Sequence, residues 1–262
     1  MKVSIIIPTF NSKEYIVAAI TSVLTQNYGT IECIVVDGGS RDGTVEILAQ
    51  YGSRIRYISE SDNGIFDALN KGIRMATGEI IGWLGSDDFY ENENVVSRAV
   101  QALSSSSALL CWGDLLYVRA DSLAHLVRYW KSTPYTPGLF RRGWQMPHFS
   151  SFIKKEVFDK HGYFNTAFHI AADYDFFLRV LEKDKVQGVY EPEIFLRMRV
   201  GGKSNRSIKN IIRGAWECFR AWHTNRLWVN PITLFLWNIW HKKHYTYLRV
   251  APMSVSKIDI QK

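Results

Sequence analysis

The sequence predicts an α/β fold in which helices flank a twisted, mostly parallel sheet. Short apolar runs alternate with amphipathic helical segments over about the first ninety of the 262 residues, as expected for right-handed βαβ units. Three of the apolar runs lead into polar loops, at residues 8–11, 37–40 and 85–88. Loops that follow parallel strands lie at one edge of the sheet, where ligands bind. We therefore expect a single ligand site built from these three loops.

Hydrophobic periodicity and cap signals give the order of the elements in the first half. Apolar runs predict strands over residues 3–7, 31–36, 55–58, 80–84 and 108–112. Ser12 is expected to cap the helix after the first strand. Further helices are predicted from residue 43, over 65–76 and over 94–103.

After Trp112 the alternation becomes irregular and indicates a mixed second half. Patterns there predict a helix over 172–183, a strand near 186–190 and a helix over 207–223 capped by Ser207. The apolar residues of that last helix mark one face, which is expected to pack on the rest of the domain: Ile208, Ile211, Ile212, Ala215, Trp216, Phe219 and Trp222.

Composition is that of an ordinary globular protein, with 47% hydrophobic and 22% charged residues. The three cysteines are an odd number without close pairs, which favours core packing in a reducing cytosol. No CxxC pair or Cys/His cluster indicates zinc. Because the apolar run before Pro8 is too short for a signal peptide, the protein is expected to stay in the cytoplasm.

The C-terminal part is strongly basic, with thirteen Lys or Arg against two acids over residues 197–262. Five of the nine tryptophans lie between residues 216 and 240. Packing on the domain, contact with an anionic membrane surface and binding of single-stranded nucleic acid all fit this pattern. No nucleic-acid-binding motif accompanies it, and we prefer membrane contact for residues 226–249. The apolar stretch 228–240 is too short to span a bilayer.

Paired acids follow the predicted strand 80–84. Asp87 and Asp88 suit an oxygen-preferring divalent cation, although acids after a strand also occur as a solvated turn or helix cap. Asp37 ends another strand and can accept a hydrogen bond from a base or ribose; the alternative is a helix-capping cluster of Ser40, Asp42 and Thr44. The first loop lacks a GxGxxG pattern, so hydride transfer loses most of its support.

Four segments carry a family resemblance: residues 5–11 (IIIPTFN), 35–44 (VVDGGSRDGT), 84–88 (LGSDD) and 170–179 (IAADYDFFLR). In this order the segments resemble the family 2 glycosyltransferases, whose fold is the GT-A type. The resemblance implies a catalytic domain over 1–205, with a nucleotide-binding half (1–112) and an acceptor-binding half (113–205). Residues 206–262 would form a basic, Trp-rich helical extension.

The resemblance also implies roles for individual residues. The loop of Pro8, Thr9 and Asn11 would bind the nucleotide. Thr9 and Asp37 would hold the base, with Asp62 as a further nucleotide contact. Asp87 would reach the ribose, Asp88 would bind Mn²⁺ or Mg²⁺ on the diphosphate, and Asp173 would be the general base. Gly85 departs from the family pattern, in which an acid or Asn is common there.

Other residues are candidates with open alternatives. His148 precedes an apolar run and would line a donor or acceptor pocket, or be a hydrogen-bonded buried histidine. Arg199 and Lys203 flank a glycine pair that would close over phosphates, or form an ordinary linker. Asp173 and Asp175 at the start of a helix also suit the helix dipole.

These expectations converge on an inverting glycosyltransferase. It would move a sugar from a nucleotide-diphosphate donor, UDP by preference, to a hydroxyl of a glycan acceptor. The acceptor would be lipid-linked, in surface polysaccharide synthesis at the cytoplasmic face of the inner membrane. A sugar-phosphate nucleotidyltransferase would need a glycine-rich loop with Arg and Lys after the first strand, which is absent. A catalytically silent module that binds nucleotide sugars is the other alternative.

Overall fold

The computed structural model describes residues 1–200, 208–234 and 236. Its first half alternates strands and helices, as predicted. The elements are β1 (Val3–Thr9), α1 (Ile16–Leu24), β2 (Ile31–Asp37), α2 (Thr44–Ala49), β3 (Arg56–Ser59), α3 (Ile65–Met75), β4 (Ile80–Trp83), β5 (Phe89–Tyr90) and α4 (Val95–Ser104).

The second half is mixed, as the irregular pattern indicated. It contains β6 (Leu110–Arg119), β7 (Ser122–Trp130), β8 (Ser151–Lys154), α5 (Lys155–His161), α6 (Ala172–Phe177), β9 (Gly188–Arg199) and α7 (Ile208–Thr224). A π-helical segment, Leu178–Lys183, continues α6. Sequence patterns missed β5, β8 and α5, because such short elements carry too little periodicity, and missed the longer β7, because its burial alternates weakly.

All nine strands described form one sheet in the order β3-β2-β1-β4-β8-β6-β9-β5, with β7 paired to β6. The four strands from β3 to β4 run parallel, and Thr9 lies opposite Asp37 at the end of their ladder. β8 pairs antiparallel with both β4 and β6 and so joins the two halves. The loops after β1, β2 and β4 therefore emerge at one edge, as expected.

The core lies on both faces of the sheet. Ile6 on β1 faces a cluster that includes α3, α6 and part of α7, whereas Ile5 and Ile7 face a cluster with α1 and α4. Because both faces of the parallel half are covered, its strands are almost continuously apolar. This explains why they were the clearest elements in the sequence.

Two local predictions were wrong. The side chain of Ser12 does not cap α1; its hydroxyl donates to the backbone oxygen of Ser86 at 3.4 Å. The strand predicted to end at Trp112, where the two halves were divided, continues to Arg119 as β6. It tolerates the fully buried Asp114 because that carboxylate accepts hydrogen bonds from Tyr129 and Tyr190 and from a backbone N–H.

The orientation of α7 also differs from the prediction. Cys218, Ala221 and Trp222 are buried against the domain, and Trp222 alone of these belonged to the predicted face. Ile211, Ile212 and Trp216 are instead 50%, 65% and 61% exposed. The reason is that polar contacts from Glu217 and Asn225 to the segment around α6 set the rotation of the helix.

The remaining predictions for the C-terminal part concern residues that are described only in part. The cap at Ser207 and the boundary at residue 205 lie outside the described residues. The membrane segment 226–249 is described only as far as residue 234 and at 236. Across the described parts of the chain, none of the helices is long and apolar enough to cross a bilayer.

Candidate active site

The loops after β1 and β2 are bonded to each other. The backbone N–H of Asn11 donates to the Ser40 hydroxyl at 2.7 Å, and the Asn11 side-chain oxygen accepts the N–H of Arg41 at 2.9 Å. Asn11 has φ of +50°, a left-handed conformation that asparagine tolerates better than most residues. Pro8 is buried within β1, and Thr9 is 4% exposed with a buried hydroxyl that has no hydrogen-bond partner among the described residues.

Asp37 is fully buried at the end of β2. Its carboxylate accepts the N–H groups of Gly39 and Ser40 at 3.1 and 2.9 Å and the Ser59 hydroxyl at 2.6 Å. The Ser40 hydroxyl also donates to it. The residue therefore fixes the shape of the glycine-rich loop.

Asp62 lies against this loop. A Cβ at Gly38 would come within 2.6 Å of an Asp62 carboxylate oxygen, so glycine permits the close approach. The same Cβ would be 3.4 Å from the ring of Phe10, which is 50% exposed. Sequence reasoning missed Phe10 because one exposed aromatic side chain in a loop leaves no periodic signal.

The acid pair after β4 folds over Gly85. A Cβ there would clash with Oδ2 of Asp88 and lie 3.2 Å from Oδ1 of Asp87. Gly85 therefore leaves the space into which both carboxylates converge.

Asp88 is 2% exposed, and its environment is electrostatically unusual. Burial raises the pKa of Asp88 well above its usual value, and the negative charge of Asp87 adds to this shift. The backbone N–H of Arg199, 3.1 Å from the Asp88 carboxylate, and the Arg199 guanidinium act in the opposite direction. A positive ligand would favour the ionised form of this carboxyl group.

Arg199, at the end of β9, lies beside the acid pair. Its guanidinium donates to the backbone oxygen of Asp87 and lies 4.9 Å from the ring centre of Tyr15 and 5.2 Å from that of Phe89. Arg199 is one of the two basic residues that were predicted to flank a phosphate-closing loop, and it lies at the edge of the sheet beside the acids. Lys203 lies outside the described residues.

Asp173, at the start of α6, is paired with His148. The Nδ1 atom of His148 is 3.1 Å from the Asp173 carboxylate, and the two side chains are 16% and 25% exposed. The backbone oxygen of His148 accepts the indole N–H of Trp83 at 2.6 Å. Since Trp83 ends β4, this chain of contacts connects Asp173 to the strand that leads into the acid pair. The Nε2 atom of His148 is buried without a hydrogen-bond partner in the described structure.

Asp175 occupies a different environment from Asp173. It is fully buried and bonds to Arg179 and Asn225, each at 2.8 Å. Burial raises the pKa of Asp175, and the contacts with Arg179 and Asn225 oppose the rise. The residue therefore has a structural role and does not stand at a solvent-exposed helix terminus.

A hard divalent cation fits the acid pair, with ligands from outside the protein. Among the described residues, no group of three His, Cys, Asp or Glu side chains is placed to hold a metal ion. Asp87 and Asp88 nevertheless present converging carboxylates, the oxygen ligands that Mg²⁺ and Mn²⁺ prefer. A diphosphate is the natural source of the missing oxygen ligands.

A parallel half-sheet with acids at its edge, completed by a mixed half-sheet, agrees with the GT-A fold, and solved structures of that fold match this chain. S. aureus TarS 1–349 in complex with UDP-GlcNAc matches with a TM-score of 0.68 and 15% identity over 93% of this chain and 73% of that one. The mannosyltransferase PcManGT of Pyrobaculum calidifontis, in complex with GDP-Man and Mn²⁺, matches with a TM-score of 0.63 and 20% identity over 92% and 70%. A longer TarS structure also matches, and this chain covers 44% of its length.

The chain belongs to glycosyl transferase family 2, whose sequence profile matches residues 4–162. An uncharacterized glycosyltransferase of Mycobacterium tuberculosis is 37% identical over 180 residues, 68% of each chain. A PGL/p-HBAD biosynthesis glycosyltransferase of Mycobacterium bovis is 31% identical over 181 residues, 67% of this chain and 68% of that one. The predicted family and fold class are thereby confirmed.

Proposed function

We propose that this protein transfers a sugar, with inversion, from a nucleotide-diphosphate donor to a hydroxyl group of a glycan acceptor. The observation that carries the proposal is the Asp173–His148 pair, which is joined through Trp83 to the strand preceding the acid pair. Inverting transfer requires a carboxylate that accepts the proton of the acceptor hydroxyl, and Asp173 is the residue we propose for this step. Family membership supports glycosyl transfer over nucleotidyl transfer.

The donor nucleotide would bind across the loops after β1 and β2. The buried hydroxyl of Thr9, which has no partner among the described residues, and the carboxylate of Asp62 would contact the base, while Asp37 would fix the loop that receives it. The exposed ring of Phe10 offers a surface on which a base can stack. UDP is the nucleotide we propose, because related structures of TarS contain UDP and UDP-GlcNAc.

The diphosphate would lie at the acid pair. Asp87 would reach the ribose, and Asp88 would hold Mn²⁺ or Mg²⁺, which stabilises the negative charge of the leaving diphosphate. The Mn²⁺ in the PcManGT complex supports a divalent cation. Arg199, whose guanidinium already contacts the Asp87 backbone, would add positive charge near the phosphates.

Asp173 would act as the general base. It would remove the proton from the acceptor hydroxyl as that oxygen attacks the anomeric carbon, on the side opposite the departing diphosphate. Attack from that side inverts the anomeric configuration. His148 would hold the carboxylate through Nδ1–H, because an ionised carboxylate only accepts hydrogen bonds.

The acceptor would be a lipid-linked glycan, presented at the cytoplasmic face of the membrane. The M. bovis relative is named as a PGL/p-HBAD biosynthesis glycosyltransferase, which supports a biosynthetic role for sugar transfer. The basic C-terminal part would contact anionic lipid, through residues 226–249 and the exposed side chains of α7.

Replacing Asp173 tests the proposal. Asp173→Asn removes the base but keeps the size of the side chain, so kcat for sugar transfer should fall by about 10²- to 10⁴-fold. Binding of UDP, measured by calorimetry, should remain within about twofold of the wild-type Kd, because the nucleotide loops are untouched. Near-normal turnover of the variant would exclude Asp173 as the base. Wild-type protein that binds UDP-sugars but transfers none to any glycan acceptor would instead indicate a silent binding module.

A further inference from the structure

The segment that leads into α6 lacks a local cap. Its N-cap position is Ala171, which has no side chain able to accept a hydrogen bond. The three successive backbone N–H groups of His169, Ile170 and Ala171 instead donate to the Glu217 carboxylate, at 3.2, 2.8 and 3.0 Å. Converging backbone amides of this kind form an anion-binding concavity. Here the anion is a side chain of α7.

Two further contacts, one from α7 and one from the residue that follows it, lie on the other side of Asp173. The indole N–H of Trp222 donates to the Tyr174 hydroxyl at 3.0 Å, and the Asn225 amide donates to Asp175 at 2.8 Å. α7 and Asn225 therefore hold the backbone before Asp173 and the side chains of Tyr174 and Asp175 after it. These contacts can fix the direction of the Asp173 carboxylate even without a direct contact between α7 and Asp173.

Glu217 is suited to this task because it is buried and ionised. It is 3% exposed, and Arg213 pairs with it at 3.0 Å from the surface. Burial alone would raise the pKa of Glu217, but the hydrogen bonds from the backbone of 169–171 and from Arg213 outweigh burial and lower it. The carboxylate thus carries its full charge toward the three amides at neutral pH.

We infer that Glu217 is a positioning residue for sugar transfer, which holds residues 169–171 so that Asp173 meets His148 and the acceptor hydroxyl. The inference rests on the proposed role of Asp173 as general base. Displacing a reacting group by about 1 Å costs about 10²-fold in rate, so a residue that acts only through the backbone has a large effect. α7 then contributes to sugar transfer by positioning the residues before Asp173.

Glu217→Gln tests this with little change in size. The amide retains one acceptor oxygen but directs an NH₂ group at backbone donors, so kcat should fall by about 10- to 100-fold. The Kd for UDP should change by less than about twofold. Amide hydrogen exchange should accelerate over residues 165–176. Glu182→Gln is the matched control: Glu182 is a buried glutamate, 5% exposed, that bonds to Tyr135 and Gly138 and not to the 169–171 segment. We expect it to keep a wild-type kcat.

The double variant with Asp173→Asn separates positioning from general damage. If Glu217 acts through Asp173, adding Glu217→Gln to Asp173→Asn should lower kcat by less than about twofold further. A further loss as large as that of the single variant would overturn the inference, as would wild-type kcat in Glu217→Gln when Asp173→Asn is inactive. If Glu217→Gln folds poorly, Glu217→Asp, which keeps the charge, replaces it under the same criteria. Full activity of Asp173→Asn alone would defeat the proposed function itself, and the inference with it.

Discussion

At the scale of single residues, neighbouring acids in this site have different surroundings. Asp37, Asp175 and Glu217 are buried, and protein donors satisfy their carboxylates. Asp88 is equally buried, but within the described structure the hydrogen bond to its carboxylate comes from the backbone N–H of Arg199, and burial and the charge of Asp87 raise its pKa. Asp173 remains partly exposed. The satisfied acids shape the site, and in the proposed function Asp88 and Asp173 would be the acids that meet a ligand.

The two nitrogens of His148 can be tested separately. In His148→Asn the amide takes the position of Nδ1 and can still bond to Asp173, whereas in His148→Gln it takes the position of Nε2. If His148 acts by holding Asp173, kcat should fall by about threefold in the Asn variant and by about 10- to 100-fold in the Gln variant. Steady-state kinetics with saturating donor checks this.

A larger loss of kcat in His148→Asn than in His148→Gln would assign the main role to Nε2, which is buried without a partner in the described structure. Equal activity of the two variants and the wild type would exclude His148 from catalysis. Thermal unfolding of both variants serves as the control, because His148 also contacts the rings of Trp83 and Phe149.

At the scale of elements, α7 presents three sides with different surroundings. One face carries Glu217 and Trp222 into the domain, and a neighbouring face leaves Ile212 and Trp216 exposed. Arg213 and Arg220 lie on a third side, next to the exposed apolar residues. Exposed apolar side chains beside basic ones are typical of a helix that lies in a membrane interface.

Replacing the exposed pair tests the proposed membrane contact. Ile212→Ser with Trp216→Ser removes apolar area that is exposed to solvent, so the free energy of unfolding should change little. Partitioning onto vesicles of anionic phospholipid, measured by co-sedimentation, should fall by about fivefold or more. Val127→Ser removes a similarly exposed apolar side chain, 51% exposed on β7, and should leave partitioning unchanged. Unchanged partitioning of the double variant would contradict a lipid contact at α7.

At the scale of the whole molecule, one buried acid ties the parallel half together. Glu32 on β2 accepts hydrogen bonds from Ser4 on β1, from Arg56 on β3 and from Thr77 before β4. Burial alone would raise the pKa of Glu32, but these hydrogen bonds outweigh it and lower the pKa from 4.5 to about 2. The ionised form is therefore favoured by folding.

This shift predicts how stability depends on pH. Because the folded pKa lies below the unfolded one, the contribution of Glu32 is present in full above about pH 4.5 and is lost as the pH falls toward about 2. Its size is on the order of 2 to 3 kcal/mol. In Glu32→Gln, the free energy of unfolding from urea titrations should be lower at pH 7 and should fall less between pH 5 and pH 2.5. An unchanged slope in that range would show that other acids govern the acid response.

Prediction from sequence succeeded where the signal is local. The strands β1, β2 and β4 are buried on both faces, so their apolar runs stand out, and the loops after them follow from Gly, Pro and Asp at turn positions. The same argument placed Asp37 and Asp88 at one edge. It failed at β7 and β8, which alternate weakly, and at α7, where an apolar stripe is exposed and a glutamate is buried.

By itself, the sequence determined the α/β class, the family and the edge of the sheet at which the acids gather, since periodicity and turn chemistry act over a few residues. Only the tertiary structure decided that His148 meets Asp173, that Gly85 makes room for two carboxylates and that Glu217 binds the backbone of residues 169–171. Those contacts join residues far apart in the chain. Their geometry depends on how the elements pack, which no short-range pattern encodes.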